Sequence, residues 1–358
     1  MSIFEKLFGE KNLVGKSCPE IPEGIGLWLG LNNDGVISQP LKIKDLRAVG
    51  KAVLLDFWAY SDVNSLQDLP YLKRWQEKYF PLGLVVIGIH TPEFDFEADP
   101  RNVENFIKKE GITYPVVLDL DRRMWNLFAN DTWPRMLLVD TKGKIRYDHR
   151  GGDHYLEAET KIQGLLKEIN SKVDLPKMAA EELDHIKEVA VHYPQTQKTY
   201  CGYQKGKIGN QEGYFKDTFH VYDKVPPKDS FKDGHLYLNG GWIAKADYLQ
   251  HAVNNRDPID FLILPFRGLA ANVVLGLDET KGVGETKIYV ALDDAPPAKE
   301  VAGKDMLFDE SGWSYLLVKE PRLYELFKTK EFADHLLKIY PFSDALQIYA
   351  FSFVGRVE

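Results

Sequence analysis

The residues that offer the most chemistry lie in the stretch DFWAYSDVNS, which runs from Asp56 to Ser65. An apolar run that begins at Ala52 leads into this stretch, and an amphipathic segment that carries Pro70 follows it. The pattern predicts a buried strand that feeds the N-terminus of a helix. The helix dipole and the unpaired backbone N–H groups there favour negative charge. Asp62 is therefore predicted to accept from those N–H groups as a helix cap, with Ser65 as a polar residue of the first turn.

The same carboxylates allow a second, catalytic interpretation. Asp56 and Asp62 would form a pair in which one pKa is raised, so that the pair acts as an acid or a base. We favour the helix cap, because no nucleophile or metal ligand accompanies the two acids in the local sequence. Asp56 is then expected to be a buried acid whose hydrogen bonds are built into the fold.

The elements that would position these residues alternate between strands and helices, which predicts an α/β domain over residues 1–171. A short amphipathic helix is predicted at its N-terminus, and a helix over about residues 65–79 after the central strand. The other predicted elements are strands at Leu84–His90, Pro115–Leu118 and Met136–Asp140, a partner strand that ends at Arg150, and helices at Asp99–Lys109, Asp121–Ala129 and Tyr155–Ile169.

In order and spacing, these pieces resemble the thioredoxin-like fold. Asp56 is followed two residues later by Trp58, and Pro134 stands just before a late strand. The resemblance implies a redox motif, Cys-x-x-Cys, at the positions that Asp62 and Ser65 occupy here. Disulfide exchange needs a thiolate that attacks and a second sulfur that resolves the mixed disulfide. Dithiol oxidoreductase activity at this site is therefore predicted to be absent.

The resemblance also implies a peptide groove beside the missing thiols. In the thioredoxin-like fold the proline at the position of Pro134 is cis and faces the redox helix, and edge backbone there pairs with an extended peptide. Tyr60, Trp133 and Pro134 are the predicted groove residues. An extended peptide or protein partner is therefore expected at this place, and no cofactor is expected.

The second half of the chain has a different pattern. Residues 172–195 include a helix-like stretch at Ala179–Val191 and predict a partly helical connector. From residue 196 to 358, short alternating or aromatic-rich runs are separated by Gly, Pro, Asn and Asp, which predicts an all-β sandwich of jelly-roll type. The predicted strands include separate runs at Phe261–Phe266, Asn272–Leu277, Arg322–Phe327, His335–Ile339 and Leu346–Val354.

Together the two halves resemble the extracytoplasmic part of DipZ-type thiol-disulfide proteins, in which a thioredoxin-like domain is fused to a carbohydrate-binding-module-like sandwich. The resemblance covers nearly the whole chain. It rests on GIHTPEF and TWPRMLLVDTKGKIR beside DFWAYSDVNS in the first half, and on QKTYCGYQKG, NGGWIAKADY and LQIYAFSF in the second. Because Asp62 and Ser65 stand where the family has redox cysteines, the electron transfer that the family implies does not carry over.

Other candidate residues have a structural and a functional interpretation. Cys18, in an SCPE turn, is either inert or a single reactive thiol, and Cys201 lies in the other half of the chain. The loop 148–154 holds two histidines and two aspartates without helical spacing, so it is predicted to be solvated and not a metal site. Aromatic residues at strand spacing favour a core, but Trp242 and Trp313 are the candidates for a glycan surface.

Composition limits the classes of partner. The 358 residues carry a net charge of −8 and no basic run, which argues against a nucleic-acid partner. No apolar stretch approaches about 18 residues, so no membrane span is predicted. Two cysteines and the absence of an apolar leader favour the cytoplasm for the sequence as written. The alternative is an exported protein whose signal segment was removed.

The sequence thus predicts a redox-inactive thioredoxin-fold protein that binds a peptide or protein partner and carries a second recognition domain. The alternative is a thiol-disulfide oxidoreductase or peroxidase relative with residual, one-thiol activity through Cys18. A glycan-binding module is the third hypothesis.

Overall fold

The computed structural model describes residues 12–30, 40–183 and 193–355. The chain divides into two compact units, Met1–Lys187 and Glu188–Glu358. The predicted N-terminal helix and the second part of the predicted connector helix, residues 184–191, lie outside the described residues. No helix in the described ranges is both long and apolar enough to span a bilayer.

The first unit is built on a mixed sheet of six strands in the order β1-β4-β3-β2-β5-β6. Strands β2, β3 and β4 are parallel, and the other pairings are antiparallel. This arrangement confirms the predicted α/β class. The elements are β1 (Trp28–Leu29), α1 (Ile43–Ala48), β2 (Ala52–Trp58), α2 (Val63–Tyr79), β3 (Leu84–His90), α3 (Pro100–Glu110), β4 (Val116–Leu118), α4 (Arg123–Leu127), β5 (Arg135–Val139), β6 (Ile145–Arg150), α5 (Tyr155–Ile169) and α6 (Ala179–Leu183).

Strand β2 is the centre of this unit, and all of its residues are buried. Since successive side chains of a strand point to opposite faces, β2 contributes to two apolar cores. Leu54 and Trp58 pack in the core that includes α2, α3 and α5, whereas Leu55 and Phe57 pack in the core that includes α4. The carboxyl end of β2 leads directly into α2, which places the stretch from Asp56 to Ser65 at the edge of the sheet.

The second unit is rich in β-structure and contains a sheet of ten strands, one of which is the short β7 that pairs with β16. The strand-rich character of this half confirms the coarse prediction, and the jelly-roll connectivity stays a prediction. The strands are β7 (Thr199–Tyr200), β8 (Phe219–Tyr222), β9 (Tyr237–Ala244), β10 (Leu249–His251), β11 (Phe261–Leu277), β12 (Thr286–Leu292), β13 (Leu307–Phe308), β14 (Ser314–Val318), β15 (Arg322–Pro341) and β16 (Leu346–Val354).

Two pairs of predicted strands are in fact single long strands, β11 and β15, so the sequence prediction of separate short strands was wrong there. Gly268 and Asp334 belong to residue types that predict separators between strands, but they lie inside β11 and β15. Arg267 on β11 and Asp334 on β15 are opposite each other in register, and their side chains form an ion pair at 2.6 Å. A register shift between Gly268 and Ala270 lets the strand continue through this region.

Candidate functional site

At the N-terminus of α2, the carboxylate of Asp62 and the hydroxyl of Ser65 are hydrogen-bonded to each other. Asp62 is the N-cap, and its Oδ2 accepts from the backbone N–H of Ser65 at 2.9 Å. The Ser65 hydroxyl donates to the same oxygen at 3.1 Å and accepts from the backbone N–H of Ala59 at 3.4 Å. Both side chains are buried. The predicted roles of Asp62 as a cap and Ser65 as a first-turn residue are confirmed.

Asp56 lies near the carboxyl end of β2, and its surroundings differ from those of Asp62. Its side chain is buried, and neither carboxylate oxygen has a hydrogen-bond partner among the described residues. The expectation that its hydrogen bonds are built into the fold was therefore wrong. Burial in apolar surroundings raises the pKa of Asp56 to about 8, so the carboxyl is protonated at neutral pH.

A third acid, Asp68, was missed by the sequence reasoning. It is fully buried on α2, where its Oδ1 accepts from the Tyr155 hydroxyl at 2.8 Å. Burial raises its pKa well above the usual value, and the nearby Asp56 carboxyl adds to that effect more than the Asp62 carboxyl does. The acid coupled to Asp56 is therefore Asp68. The signal was available, because Asp68 is spaced three residues after Ser65 on the buried face of α2.

The aromatic side chains beside this site are interior. Tyr60 is 2% exposed and stacks against His90 and Phe106, with ring centroids at 5.7 and 5.2 Å. The prediction that Tyr60 lines an open groove was therefore wrong. Trp58 is fully buried with its ring 5.1 Å from that of His90. Burial lowers the pKa of His90 to about 3, so its imidazole is neutral.

Trp133 is the predicted groove residue that reaches the surface. The Trp133–Pro134 peptide bond is cis, as predicted, and Pro134 is buried while Trp133 is half-buried. The indole N–H of Trp133 donates to the carbonyl of Thr91 at 3.0 Å. The Arg122 guanidinium lies over the rings of Trp133 and Trp125, at 5.3 and 5.2 Å. These contacts fix the Trp133 ring in one place.

Glu97 ties the loop before α2 to the segment after β3, and sequence reasoning missed it as well. Its buried carboxylate accepts the backbone N–H of Ser61 at 3.0 Å. It also accepts the backbone N–H groups of Glu93 and Phe94, at 2.6 and 3.1 Å. Burial is the largest cause that raises the pKa of Glu97, to about 7. The position of Asp62 thus depends on an acid that is 35 residues away in sequence, as their numbers show.

The two halves of the chain match two different family models. Residues 20–165 match the family model described as Redoxin, and residues 196–354 match the one described as Thioredoxin like C-terminal domain. Protein DipZ of Mycobacterium tuberculosis is 28% identical over 340 residues, which are 94% of this chain and 43% of that protein. The first unit has a thioredoxin-like fold and contains the residues that match the Redoxin model. The chain spans less than half the length of the DipZ protein that it matches.

Shorter relatives match the thioredoxin-like unit. Thiol-disulfide oxidoreductase YkuV of Bacillus subtilis is 25% identical over 118 residues, which are 33% of this chain and 79% of that protein. The crystal structure of a protein described as a thiol:disulfide interchange protein DsbE, from Chlorobium tepidum, has 23% identity and a TM-score of 0.35. It covers 43% of this chain and 97% of that one. The match with YkuV relates this unit in sequence to thiol-disulfide oxidoreductases.

The two cysteines of the chain are free, and neither lies in the loop before α2. Cys18 is half-buried, and burial is the largest cause that raises its pKa to about 12. Cys201 is fully buried in the second unit, and burial raises its pKa well above the ordinary value. Both thiols are therefore protonated at neutral pH.

The segment 148–154 was predicted to be a solvated loop, which holds only in part: residues 148–150 belong to β6, residues 151–153 are half-buried and His154 is exposed. The Asp148 side chain is 1% exposed and holds the Arg135 guanidinium in two hydrogen bonds of 2.8 and 2.9 Å. This ion pair fastens β6 to β5 beside Pro134. His149 is half-buried, and burial is the main cause that lowers its pKa. The part of the chain that the structure describes holds no group of three His, Cys, Asp or Glu side chains placed to bind a metal.

The two tryptophans proposed for a glycan surface have different surroundings. Trp242 is fully buried, and its indole N–H donates to the carbonyl of Asn239 at 2.8 Å. It cannot contact a glycan, so that prediction was wrong, and the core alternative holds for this residue. Trp313 is 41% exposed. The pair therefore does not form one surface.

Proposed function

We propose that this chain is a redox-inactive thioredoxin-fold protein that binds a protein partner, with Asp62 and Ser65 at the positions of a lost Cys-x-x-Cys motif. The kinship with thiol-disulfide oxidoreductases and the position of Asp62 at the start of α2 support the assignment of the lost motif. The second unit, which we take to be a jelly-roll-type sandwich similar to carbohydrate-binding modules, supplies a second recognition surface.

The observation that carries the proposal is the pair of hydrogen bonds that Asp62 accepts from Ser65. The helix N-terminus that would stabilise a thiolate already has a carboxylate oxygen on the Ser65 N–H at 2.9 Å. The hydroxyl at position 65 donates to the same carboxylate. Oxygen atoms at these two positions cannot attack or resolve a disulfide.

The alternative, one-thiol activity through Cys18, is disfavoured by the surroundings of that thiol. With a pKa of about 12, about one molecule in 10⁵ would carry the Cys18 thiolate at pH 7. A reactive cysteine needs a lowered pKa, and the Cys18 pKa is moved in the opposite direction. Loss of turnover in a Cys18→Ser variant would favour this alternative.

Restoring the thiols tests the proposed position of the lost motif. The double variant Asp62→Cys, Ser65→Cys places two sulfurs at the N-terminus of α2, where the helix lowers the pKa of the first thiol. We expect this variant to reduce insulin with dithiothreitol as the reductant, and we expect the wild type to do so no faster than the uncatalysed reaction.

The matched control for this experiment is the double variant Asp62→Ala, Ser65→Ala, which removes the same oxygens and adds no thiol. It should be as inactive as the wild type. Wild-type turnover equal to that of the cysteine variant would refute redox inactivity. An inactive cysteine variant that is folded by circular dichroism would refute the assignment of the lost motif.

The partner is proposed to be an extended peptide that packs beside Trp133. The ring of Trp133 is held by Arg122 and by its hydrogen bond to Thr91, so it offers a fixed apolar surface at the sheet edge. A peptide array probed with the full chain tests this surface. Binding should be lost in Trp133→Ala and retained in Phe80→Ala, which removes a 49% exposed aromatic side chain from the same unit.

A further inference from the structure

Three segments of the first unit meet at the carboxyl edge of its parallel strands. Thr91 directly follows β3 and Asp119 directly follows β4, and these two strands are parallel neighbours. Trp133 and Pro134 come just before β5, which is antiparallel to β2 and therefore begins at the same edge. Thr91 is thus brought next to Asp119, 28 positions away, and next to Trp133, 42 positions away.

Asp119 is a buried acid with three hydrogen-bond donors on its carboxylate. Its Oδ1 accepts the backbone N–H of Met124 at 2.9 Å. Its Oδ2 accepts the backbone N–H of Trp125 at 2.8 Å and the hydroxyl of Thr91 at 3.2 Å. The side chain is 0% exposed, so each of these donors would lose its partner without access to bulk water if the carboxylate were removed. Asp119 therefore joins the start of α4 to the segment after β3.

The ring of Trp133 is supported by two of the residues that Asp119 holds. The indole N–H of Trp133 donates to the backbone carbonyl of Thr91 at 3.0 Å. The indole ring packs on that of Trp125, with ring centroids 4.3 Å apart. Thr91 and Trp125 each contact Trp133 with one group and donate to Oδ2 of Asp119 with another. Both supports of the Trp133 ring thus meet at one oxygen atom.

A third support of the ring comes from the turn that Asp119 begins. The backbone N–H of Arg122 donates to the Asp119 carbonyl at 3.1 Å, and Arg122 has a φ of 57°. A residue other than glycine keeps this left-handed conformation when its surroundings fix it. The turn brings the guanidinium over the rings of Trp125 and Trp133, at 5.2 and 5.3 Å. The cation over the two rings therefore also depends on the segment that starts at Asp119.

We propose that Asp119 is a positioning residue for Trp133 and sets the orientation in which this ring meets a partner. The inference rests on the proposed function, in which Trp133 packs against an extended peptide. A side chain that is already fixed loses less conformational freedom on binding than a mobile one. Removal of Asp119 therefore weakens binding of the peptide, although Asp119 is buried and does not touch it.

The alternative is that Asp119 supports only the start of α4. Arg122 is the N-cap of that helix and makes no side-chain capping bond, so the Asp119 carboxylate would replace a cap from outside. In that case the hydroxyl of Thr91 has no part in holding Trp133. Thr91→Val separates the two roles, because it removes this hydroxyl with little change of shape and leaves both bonds from Asp119 to α4.

The hydrogen bond from Trp133 to Thr91 can be followed directly by exchange of the indole N–H in ¹⁵N-labelled full chain. Among the seven tryptophans of the chain, the Trp133 resonance is the one missing in Trp133→Phe. Exchange at Trp133 should be about tenfold faster in Asp119→Ala, because the loss of a buried acceptor loosens both supports of the ring. Thr91→Val should give a smaller change in the same direction, about threefold.

Two further variants separate positioning from loss of stability. Asp119→Asn keeps a carbonyl oxygen that can accept in place of Oδ2, so it should restore most of the protection lost in Asp119→Ala. Asp140→Ala is the matched control. The carboxylate of Asp140 is also mostly buried and accepts the backbone N–H groups of Lys142 and Lys144, at 2.9 and 2.8 Å. It follows β5 at the opposite edge of the sheet, so its loss should leave exchange at Trp133 unchanged.

Partner binding gives the second measurement, on the peptide with the strongest signal on the array used for Trp133. Asp119→Ala should bind this peptide about tenfold more weakly than the wild type, and Asp140→Ala should bind it equally well. Wild-type exchange at Trp133 in folded Asp119→Ala or in Thr91→Val would overturn the proposal, as would wild-type peptide affinity in Asp119→Ala. If the wild type binds no peptide on the array, the proposed function fails, and the indole exchange still decides whether Asp119 positions Trp133.

Discussion

Asp56 and Asp62 are the same amino acid six positions apart, but their surroundings give them different roles. Asp62 accepts two hydrogen bonds from Ser65, whereas neither carboxylate oxygen of Asp56 has a partner among the described residues. A buried acid without partners is stable in the folded protein only when it is protonated. Asp56 therefore links the stability of the thioredoxin-like unit to pH.

The variant Asp56→Asn tests this link. The pKa of Asp56 is raised in the folded state, from 3.8 to about 8, so its contribution to stability is lost as the pH rises through the folded pKa. Between pH 6.5 and pH 8, the wild type should lose about 2 kcal/mol of unfolding free energy through this group, at roughly 1.4 kcal/mol per pH unit. Asp56→Asn should lose correspondingly less and be more stable than the wild type at pH 8.

The measurement is urea unfolding at a series of pH values, followed by tryptophan fluorescence. The window begins at pH 6.5, where the folded His90, whose pKa is lowered to about 3 by burial, is uncharged. In the unfolded state His90 still titrates near its ordinary pKa of about 6.5, but this contribution is the same in the wild type and in the variant and cancels in their comparison. The exposed Asp45 provides the control variant, Asp45→Asn, which should follow the wild-type curve. Parallel curves for Asp56→Asn and the wild type would show that Asp56 is ionised in the folded protein.

The individual residues of the site differ in how far the sequence can predict their roles. The cap at Asp62 was predictable because it depends on a local feature, the N-terminus of the helix that begins at the next residue. The pairing of Asp68 with Tyr155 was not, since the two residues are 87 positions apart and meet only when α5 packs on α2. The interior position of Tyr60 was missed for the same reason, because Phe106 on α3 covers it.

At the scale of elements, the strands and helices of the first unit followed their local patterns closely. Leu84–His90 and Tyr155–Ile169 have the predicted bounds, because both are long, strongly patterned segments. Each of the long strands β11 and β15 was predicted as two short strands. The ion pair between Arg267 of β11 and Asp334 of β15 keeps these charged residues inside the strands, and the local sequence does not show that pairing. A charged residue inside a strand and a charged residue in a turn look alike in sequence.

The short helix α6 is an element whose position depends on one side chain from another element. Glu159, buried on α5, accepts the backbone N–H groups of Ala179 and Ala180, each at 2.7 Å. It also accepts the Tyr79 hydroxyl at 2.6 Å. Glu159 thus caps α6 from outside and holds the start of the predicted connector against the first unit.

Glu159→Gln should therefore release α6. The amide group replaces one acceptor oxygen with a donor, which leaves a buried N–H of α6 without a partner, at a cost of about 1–3 kcal/mol. Trypsin should cleave after the exposed Lys177 about tenfold faster in the variant, as measured by mass spectrometry of timed digests. Glu157→Gln, on the exposed side of the same helix, is the control. Equal cleavage rates in all three proteins would mean that other contacts hold α6.

At the scale of the whole molecule, each apolar cluster in the described part of the chain lies within one of the two units. Two large cores lie wholly in the first unit, and they include Ala179 and Ala180 of α6. The clusters of the second unit begin with Cys201 and lie wholly beyond it in sequence. The sequence predicted two domains from the change in pattern, but the packing of α6 into the first core required contacts that only the folded chain provides.

Because each unit buries its own apolar side chains, each should fold alone. Residues 1–187 and residues 188–358, expressed separately, should unfold cooperatively in thermal denaturation followed by circular dichroism. A fragment of residues 188–300 is the control, since it keeps β11 but removes β15 and β16, the strands with which β11 pairs over most of its length. That fragment should show no cooperative transition, because the unpaired backbone groups and apolar side chains of β11 would be exposed to water. If residues 188–358 alone also melt without a transition while the full chain melts cooperatively, the second unit depends on the first for its stability.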